Sequence, residues 1–169
     1  LAYGALTVNS IDIQDATTSV TLGGAVASTT TIGINSGGTI VQNGAITSAT
    51  TVDLDAASTI GLNAAISGVS GTVAIDATGT TTIAAAGDIS AGGAVTFGAA
   101  KAGTLTTSGD VTTTDDDVTF TNAVTLGGAV SIDTGGVAAG NILFSSTVGT
   151  AGNNLTLDAG PAGNVTLSG

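Results

Sequence analysis

The sequence predicts an all-β fold, a parallel β-helix of seven to eight turns with about three short strands in each turn. The first observation is a pair of apolar residues, one residue apart, that recurs every 20–24 residues. A fixed period in this range indicates a solenoid, because each repeat buries its apolar face by stacking on its neighbours. The pairs are Ile11/Ile13, Ile32/Ile34, Val52/Leu54, Val73/Ile75, Val95/Phe97, Val118/Phe120, Ile142/Phe144 and Val165/Leu167.

The second observation is the spacing within each pair. Two apolar residues that flank one other residue follow the strand period of two, so both side chains point to the same face. The third observation is that no stretch has apolar residues at helical spacing, while Thr, Val, Ile and Gly dominate. An antiparallel sandwich also fits short strands with turn signals. The regular period across eight repeats favours the parallel β-helix.

Shorter apolar tracts between these pairs predict the remaining strands. Two short steps and one longer step per turn indicate a triangular coil with two tight corners and one looser loop. Glycine pairs such as Gly37-Gly38 and Gly92-Gly93 fill corners, and Pro161 lies in a loop. The tracts begin at Ile40, Ile46, Val52, Ile60, Ile66, Val73, Ile83, Ile89, Val95, Leu105, Val111, Val118, Val124, Val130, Ile142, Val148, Leu155 and Val165.

Stacked turns align equivalent residues into columns. The inward column of the paired strands predicts a stack of the three phenylalanines, Phe97, Phe120 and Phe144, on successive turns. The turns lengthen where Phe replaces aliphatic residues, since a wider coil needs bulkier filling. Residues 1–169 are therefore predicted to be a single β-solenoid segment, a fragment or processed unit of a longer repeat protein or filament.

Composition excludes several classes of function. Threonine (32 residues), alanine (28) and glycine (27) dominate, the net charge is −11, and Lys101 is the single basic residue. Such a chain cannot neutralise phosphates, so we expect no nucleic-acid partner and no binding to anionic membranes. No run of about 18 apolar residues occurs, which predicts no membrane insertion. Without cysteine there is no disulfide framework.

The sequence also predicts that the chain is not an enzyme. Polysaccharide cleavage on a β-helix needs a positioned acid and base. The chain has no His, Arg or Glu, and Asp76, Asp88 and Asp110 are separated by corners rather than gathered into a pair. We therefore assign no catalytic residues and no cofactor other than a possible Ca²⁺.

Aspartate clusters are the candidate metal ligands, since Ca²⁺ binds six to eight oxygen atoms. The candidates are Asp115, Asp116 and Asp117, with Asp110 nearby. A second possibility is a corner column of Asn35, Asp55 and Asp76, in which stacked carboxylates repel unless a cation or water screens them. In the alternative interpretation, Asp and Asn favour turns and keep the rod soluble.

Threonine runs resemble the flat Thr arrays of ice-binding solenoids. Such an array needs Thr-x-Thr at one outward position on every turn, whereas the outward residues within the apolar pairs are irregular: Asp12, Gly33, Asp53, Ala74, Thr96, Thr119, Leu143 and Thr166. The pattern on this face therefore disfavours ice binding, and Thr is expected as the filler of an exposed β face. Lys101 is expected to be a solvated loop residue or a guard of a strand edge.

Segments such as Val118–Val130 and Asn154–Gly160 resemble the β-strand repeats of filamentous-haemagglutinin-type adhesins and giant bacterial surface proteins. The block Thr-Leu-Gly-Gly-Ala-Val occurs twice, at 21–26 and 125–130. The resemblance implies a secreted, right-handed β-helix. It would serve as a structural part of a bacterial surface fibre, stacking end to end with further copies or with adjoining repeats of its own chain. The alternative is the shaft or binding segment of a large secreted adhesin that recognises carbohydrate or a host surface.

Overall fold

The computed structural model describes residues 1–15, 17–48 and 50–169 of the chain. Within these ranges the fold is all-β, with 24 short strands that follow one another around the coil. The strands of the first four turns are β1 Ala2–Tyr3, β2 Leu6–Val8, β3 Ile11–Asp15, β4 Val20–Leu22, β5 Val26–Ser28, β6 Thr31–Ser36, β7 Ile40–Gln42, β8 Ile46–Ser48, β9 Thr51–Ala56, β10 Ile60–Leu62, β11 Ile66–Val69 and β12 Val73–Ala77. Those of the last four turns are β13 Thr80–Ile83, β14 Ile89–Ala91, β15 Val95–Phe97, β16 Thr104–Thr107, β17 Val111–Thr113, β18 Val118–Phe120, β19 Ala123–Leu126, β20 Val130–Asp133, β21 Ile142–Phe144, β22 Val148–Gly149, β23 Leu155–Asp158 and β24 Val165–Leu167.

Every third strand pairs in parallel with the strand one turn away, which generates three sheets of eight strands. Sheet A contains β1, β4, β7, β10, β13, β16, β19 and β22. Sheet B begins at β2 and ends at β23, and sheet C begins at β3 and ends at β24. This arrangement confirms the predicted parallel β-solenoid of about eight turns with three strands in each. No helix long and apolar enough to cross a bilayer occurs in the part of the chain that the structure describes.

The apolar pairs occupy sheet C in the predicted register. Ile13 aligns with Ile34, Ile34 with Leu54, and Leu54 with Ile75. The column continues through Phe97, Phe120 and Phe144 to Leu167. The three phenylalanine rings stack as predicted, with planes only 5° apart in both neighbouring pairs. Most inward residues of the three sheets belong to one apolar core, whose buried members extend from Ile11 to Ala159.

The predicted start of one strand was wrong. Ile83 is the last residue of β13, not the first, because it aligns with Leu62 at the end of β10. The position expected for an apolar residue at the start of this strand is held by Thr81, which is buried and aligns with Ile60. The long loop of this turn therefore follows Ile83 rather than preceding it.

The interior also contains a polar residue that the apolar pattern does not reveal. Gln42 is fully buried and sits between Leu22 and Leu62 in an inward column of sheet A. Its side-chain amide donates to the carbonyl of Gly44 (2.7 Å), and its side-chain oxygen accepts from the N–H of Ala64 (3.3 Å). These bonds compensate the cost of burying an amide.

Candidate functional site

The predicted calcium ligands lie in the corners that flank β17, and the structure does not gather them into one cluster. Asp110 immediately precedes β17, whereas Asp115, Asp116 and Asp117 form the loop between β17 and β18. Within residues 1–15, 17–48 and 50–169, no group of three or more acidic side chains is arranged to hold a metal ion. The calcium site stays a prediction, and calorimetric titration of the chain with Ca²⁺ would test it.

The carboxylates of Asp110, Asp115 and Asp117 instead accept hydrogen bonds from the next turn. Asp110 accepts from the backbone N–H of Ser131 (2.7 Å). Asp115 accepts from the N–H groups of Val137 (3.0 Å) and Ala138 (2.9 Å). These two bonds lower the pKa of Asp115 below its ordinary value, and the bond from Ala138 has the larger effect. Asp115 also has a positive φ of 60°, which Asp tolerates better than most residues.

Asp88 and Asp110 are not separated, contrary to expectation. They are aligned on adjacent turns, just before β14 and β17, and the N–H of Asp110 donates to the Asp88 carboxylate (2.9 Å). The expectation was wrong because the register of β14 and β17 in sheet B places the two aspartates at equivalent positions. Each carboxylate accepts a backbone N–H from the following turn, so the two residues connect three successive turns.

A similar polar ladder continues along the last turns beside sheet C. Asp117 accepts both the backbone N–H (2.7 Å) and the side-chain amide (2.8 Å) of Asn141. Asn141 in turn accepts the same two groups of Asn164, at 3.1 and 3.3 Å. A shallow surface cavity of about 470 Å³ lies along this ladder and extends to Thr119 and Leu143. Its amide, carboxylate and hydroxyl groups could bind a polyhydroxylated ligand.

The opposite end of sheet C has an acidic outer face. The predicted corner column of Asn35, Asp55 and Asp76 is confirmed, because these residues align on three successive turns. Asp53 lies two residues before Asp55 on the same face. Burial, followed by the negative charges of Asp55 and Asp76, raises the pKa of Asp53.

Lys101 lies in the loop between β15 and β16, as expected, but its partly exposed side chain is tied to this acidic face rather than fully solvated. Its ammonium group forms an ion pair with Asp55, 46 residues earlier in the chain. The surrounding loop is anchored by the N–H of Ala100, which donates to Asp76 (2.8 Å), and by the side-chain amide of Asn122, which donates to the Lys101 carbonyl (2.9 Å). The sequence could not predict this contact because the loop folds back over two turns.

The outer face of sheet A carries a pattern of aligned residues that analysis of the sequence missed. Two columns of small, uncharged residues run along it, one just before and one just after the first inward residue of each strand. The signal lay in Thr80-Thr81-Thr82 and Thr104-Leu105-Thr106, which align with each other residue by residue. The irregular outward column considered from the sequence belongs to sheet C, so it did not reveal this array.

No protein-family model, curated protein or solved structure shows significant similarity to this chain. The fold therefore places the chain in the class of β-solenoids built from three parallel sheets.

Proposed function

We propose that the chain is a structural β-solenoid rod, a unit or segment of an extracellular bacterial surface fibre. The observation that carries the proposal is the uninterrupted parallel pairing of all three sheets from the first turn to the last. A solenoid of this kind gains stability by nearest-neighbour stacking, so its natural means of growth is the addition of further turns.

The terminal turns are suited to such growth. Strands β22, β23 and β24 each pair with a neighbour on one side within the described chain. Leu167, at the end of the inward column of sheet C, is 63% exposed. A further turn, supplied by another copy or by adjoining repeats, would bury this side chain and pair the open backbone groups. Repeated head-to-tail contacts of this type generate filaments.

Location at the bacterial cell surface is part of the same proposal. It is supported by the resemblance of the Thr- and Gly-rich segments to adhesin repeats. The proposed partners are copies of the chain or adjoining repeats, not nucleic acid and not a membrane.

Electron microscopy of the purified chain tests the proposal. We expect long fibres of uniform width, whereas discrete short particles would contradict growth by addition of copies. Leu167→Lys places a charge on the exposed end of the apolar column and should abolish the fibres. Val137→Lys is the matched control. Val137 is an 87% exposed loop residue, so this substitution adds the same charge away from the sheet edges.

A second candidate function is the shaft or binding segment of an adhesin that recognises carbohydrate. The cavity beside Asp117, Asn141 and Asn164 favours it, because amides and carboxylates are common partners of sugar hydroxyls. Glycan-array binding that is lost in Asn141→Ala would support this function. Discrete particles in electron micrographs together with such binding would favour it over the fibre.

A further inference from the structure

Exposed large apolar side chains are concentrated on the first and last turns of the described chain. Five such side chains are exposed among the residues that the structure describes, and four of them lie on these two turns. They are Leu1 and Val8 at one end and Val165 and Leu167 at the other, whereas Val137 lies in a loop. Covering both ends would bury most of the large apolar side chains that the core leaves exposed.

The inward columns of sheets B and C have an apolar residue at both ends. Because all turns stack in parallel, the last residue of a column in one rod would meet the first residue of the same column in a rod placed on top of it. The first and last residues are Ile11 and Val165, and Ile13 and Leu167, in sheet C. They are Leu6 and Leu157 in sheet B.

The polar ladder beside sheet C also has a member on the first turn. In this ladder Asn141 donates to Asp117, and Asn164 donates to Asn141. The equivalent position of the first turn, immediately before the apolar pair, is held by Ser10. The hydroxyl groups of Ser10 and Thr31 are 2.8 Å apart, so Ser10 can accept from Thr31 and still donate its own N–H and O–H. Ser10 is thus suited to be the next donor after Asn164.

The charges of the two end turns are compatible with direct stacking. In the register set by these columns, Thr166 lies opposite Asp12, and Asp158 lies opposite Thr7. In sheets B and C, therefore, no aspartate in a strand of the last turn meets an aspartate in a strand of the first turn. This matters because the net charge is −11 and like charges on paired strands destabilise the pairing.

We propose that the last turn of one copy pairs with the first turn of a second copy in a single register, with Leu167 stacked on Ile13 and Asn164 hydrogen-bonded to Ser10. This inference rests on the proposed fibre and specifies its junction. Strand β24 then pairs in parallel with β3 of the next copy, so sheet C continues through the junction. The contact joins two different surfaces of the chain, which makes the filament polar and open-ended.

The backbone of the junction repeats a bond already present inside the rod. The first N–H of β18 donates to the carbonyl of Asn141 on the next turn (2.8 Å), and the first N–H of β21 donates to the carbonyl of Asn164 (2.8 Å). The first N–H of β24, from Val165, makes the same bond to the carbonyl of Ser10 in the next copy. Ser10 therefore takes part in the junction through both its backbone and its side chain.

Engineered disulfides test the register, because the chain has no cysteine of its own. Opposite residues in adjacent parallel strands lie about 4.8 Å apart, whereas a shift of two residues separates them by about 8 Å. A disulfide can span the first Cα separation but not the second. The double variant Asp12→Cys, Thr166→Cys should therefore form disulfide-linked oligomers on mild oxidation. The two positions are about 34 Å apart in one rod, so the bond forms only between copies.

The double variant Gln14→Cys, Thr166→Cys is the matched control. Gln14 lies two residues after Asp12 on the same exposed face, and its side-chain amide donates to Asp12 (2.7 Å). Either substitution therefore removes the same hydrogen bond. On a non-reducing gel, the control should show less than about a tenth of the cross-linked oligomers, because its Cα separation exceeds the reach of a disulfide.

The role of Asn164 is tested by the protein concentration above which fibres grow. Asn164→Ala removes the acceptor for Ser10 and should raise this concentration about five-fold, the effect of losing one typical hydrogen bond. Asn63→Ala is the control, because the side-chain amide of Asn63 donates to Asn43 (2.8 Å) in the middle of the rod. It should leave the concentration unchanged. An equal rise in both variants would overturn the contact of Asn164 with Ser10.

The cross-linking outcomes separate the register from the fibre itself. Fibres with efficient cross-linking only in the Asp12 pair support the proposed junction. Fibres without this cross-link, or with equal cross-linking in the Gln14 pair, would overturn the register and leave the fibre proposal standing. Discrete particles without cross-linked oligomers would contradict the fibre proposal and the junction together.

Discussion

The rings of Phe120 and Phe144 stack face to face inside the solenoid, with centroids 4.5 Å apart. Both side chains are almost completely buried, at 1% exposure each. Phe97 continues the stack on the other side of Phe120, at 5.0 Å. Phe120 is therefore the one ring that packs against an aromatic neighbour above and below.

Phe120→Ala should strongly destabilise the solenoid, because it removes a ring between two others and leaves a cavity. Truncations of buried phenylalanine typically cost about 3–5 kcal/mol. Denaturant-induced unfolding followed by circular dichroism measures the change. Val137→Ala, at an exposed loop position, should change stability by less than about 0.5 kcal/mol. Comparable losses in the two variants would contradict the assignment of Phe120 to the core.

Gln42→Leu should lower stability even though leucine occupies the neighbouring positions of the same column, Leu22 and Leu62. The substitution leaves the carbonyl of Gly44 and the N–H of Ala64 without their side-chain partner. A buried polar group that loses its partner costs about 1–3 kcal/mol, which the added apolar contact only partly offsets. Thermal unfolding provides the measurement. A clear rise in melting temperature would show that these hydrogen bonds contribute little.

The ion pair of Lys101 and Asp55 should make a small contribution to the free energy of unfolding, and this contribution should depend on salt concentration. Their side chains are 24% and 30% exposed, so a coupling of about 0–1 kcal/mol is expected. A double-mutant cycle of Lys101→Gln and Asp55→Asn measures it at low and high ionic strength. Coupling that does not weaken in high salt would indicate that the interaction is not mainly electrostatic.

Asp53→Asn should raise stability at neutral pH. The folded pKa of Asp53 is raised by burial and by the charges of Asp55 and Asp76, so its protonated form is favoured in the folded state. Stability from this group is therefore fully present below the ordinary aspartate pKa of 3.8 and is lost as the pH rises through the folded value. Asp53→Asn removes the ionisable carboxyl group. The variant should therefore be more stable than the unmodified chain at pH 7 and equally stable near pH 3.

Melting curves from pH 3 to pH 7 check this dependence. Asp116→Asn is the matched control, because it removes one negative charge at an exposed loop position. If both variants stabilise the chain equally at pH 7, the gain comes from lower net charge and not from the surroundings of Asp53.

The sequence determined the elements whose pattern is local and repeated. The period of 20–24 residues and the alternation within each apolar pair were enough to predict sheet C, the inward column and the phenylalanine stack. They succeeded because parallel stacking imposes the same inward positions on every turn. The column of Asn35, Asp55 and Asp76 follows from the same register.

The candidate surfaces were less predictable. Which of their residues lie side by side depends on the lengths of the corners between strands, and these lengths vary. The start of β13 was not recognised because Thr81 occupies a buried position where an apolar residue was expected. The contact of Lys101 with Asp55 was not recognised because the two residues lie two turns apart. Asp88 and Asp110 are neighbours because β14 and β17 pair in sheet B, and no repeated apolar pair in the sequence indicated this register.

The sequence by itself thus determined the solenoid, its repeat and the contents of most of its core. Only the tertiary structure decided which outward residues share a face. A column in sheet A depends on the lengths of all the corners that precede it, so Thr39, Thr59, Thr80 and Thr104 align only after every turn is closed. Inward positions are specified by burial, which leaves a strong pattern in the sequence. Outward positions are specified by spatial register, which leaves almost none.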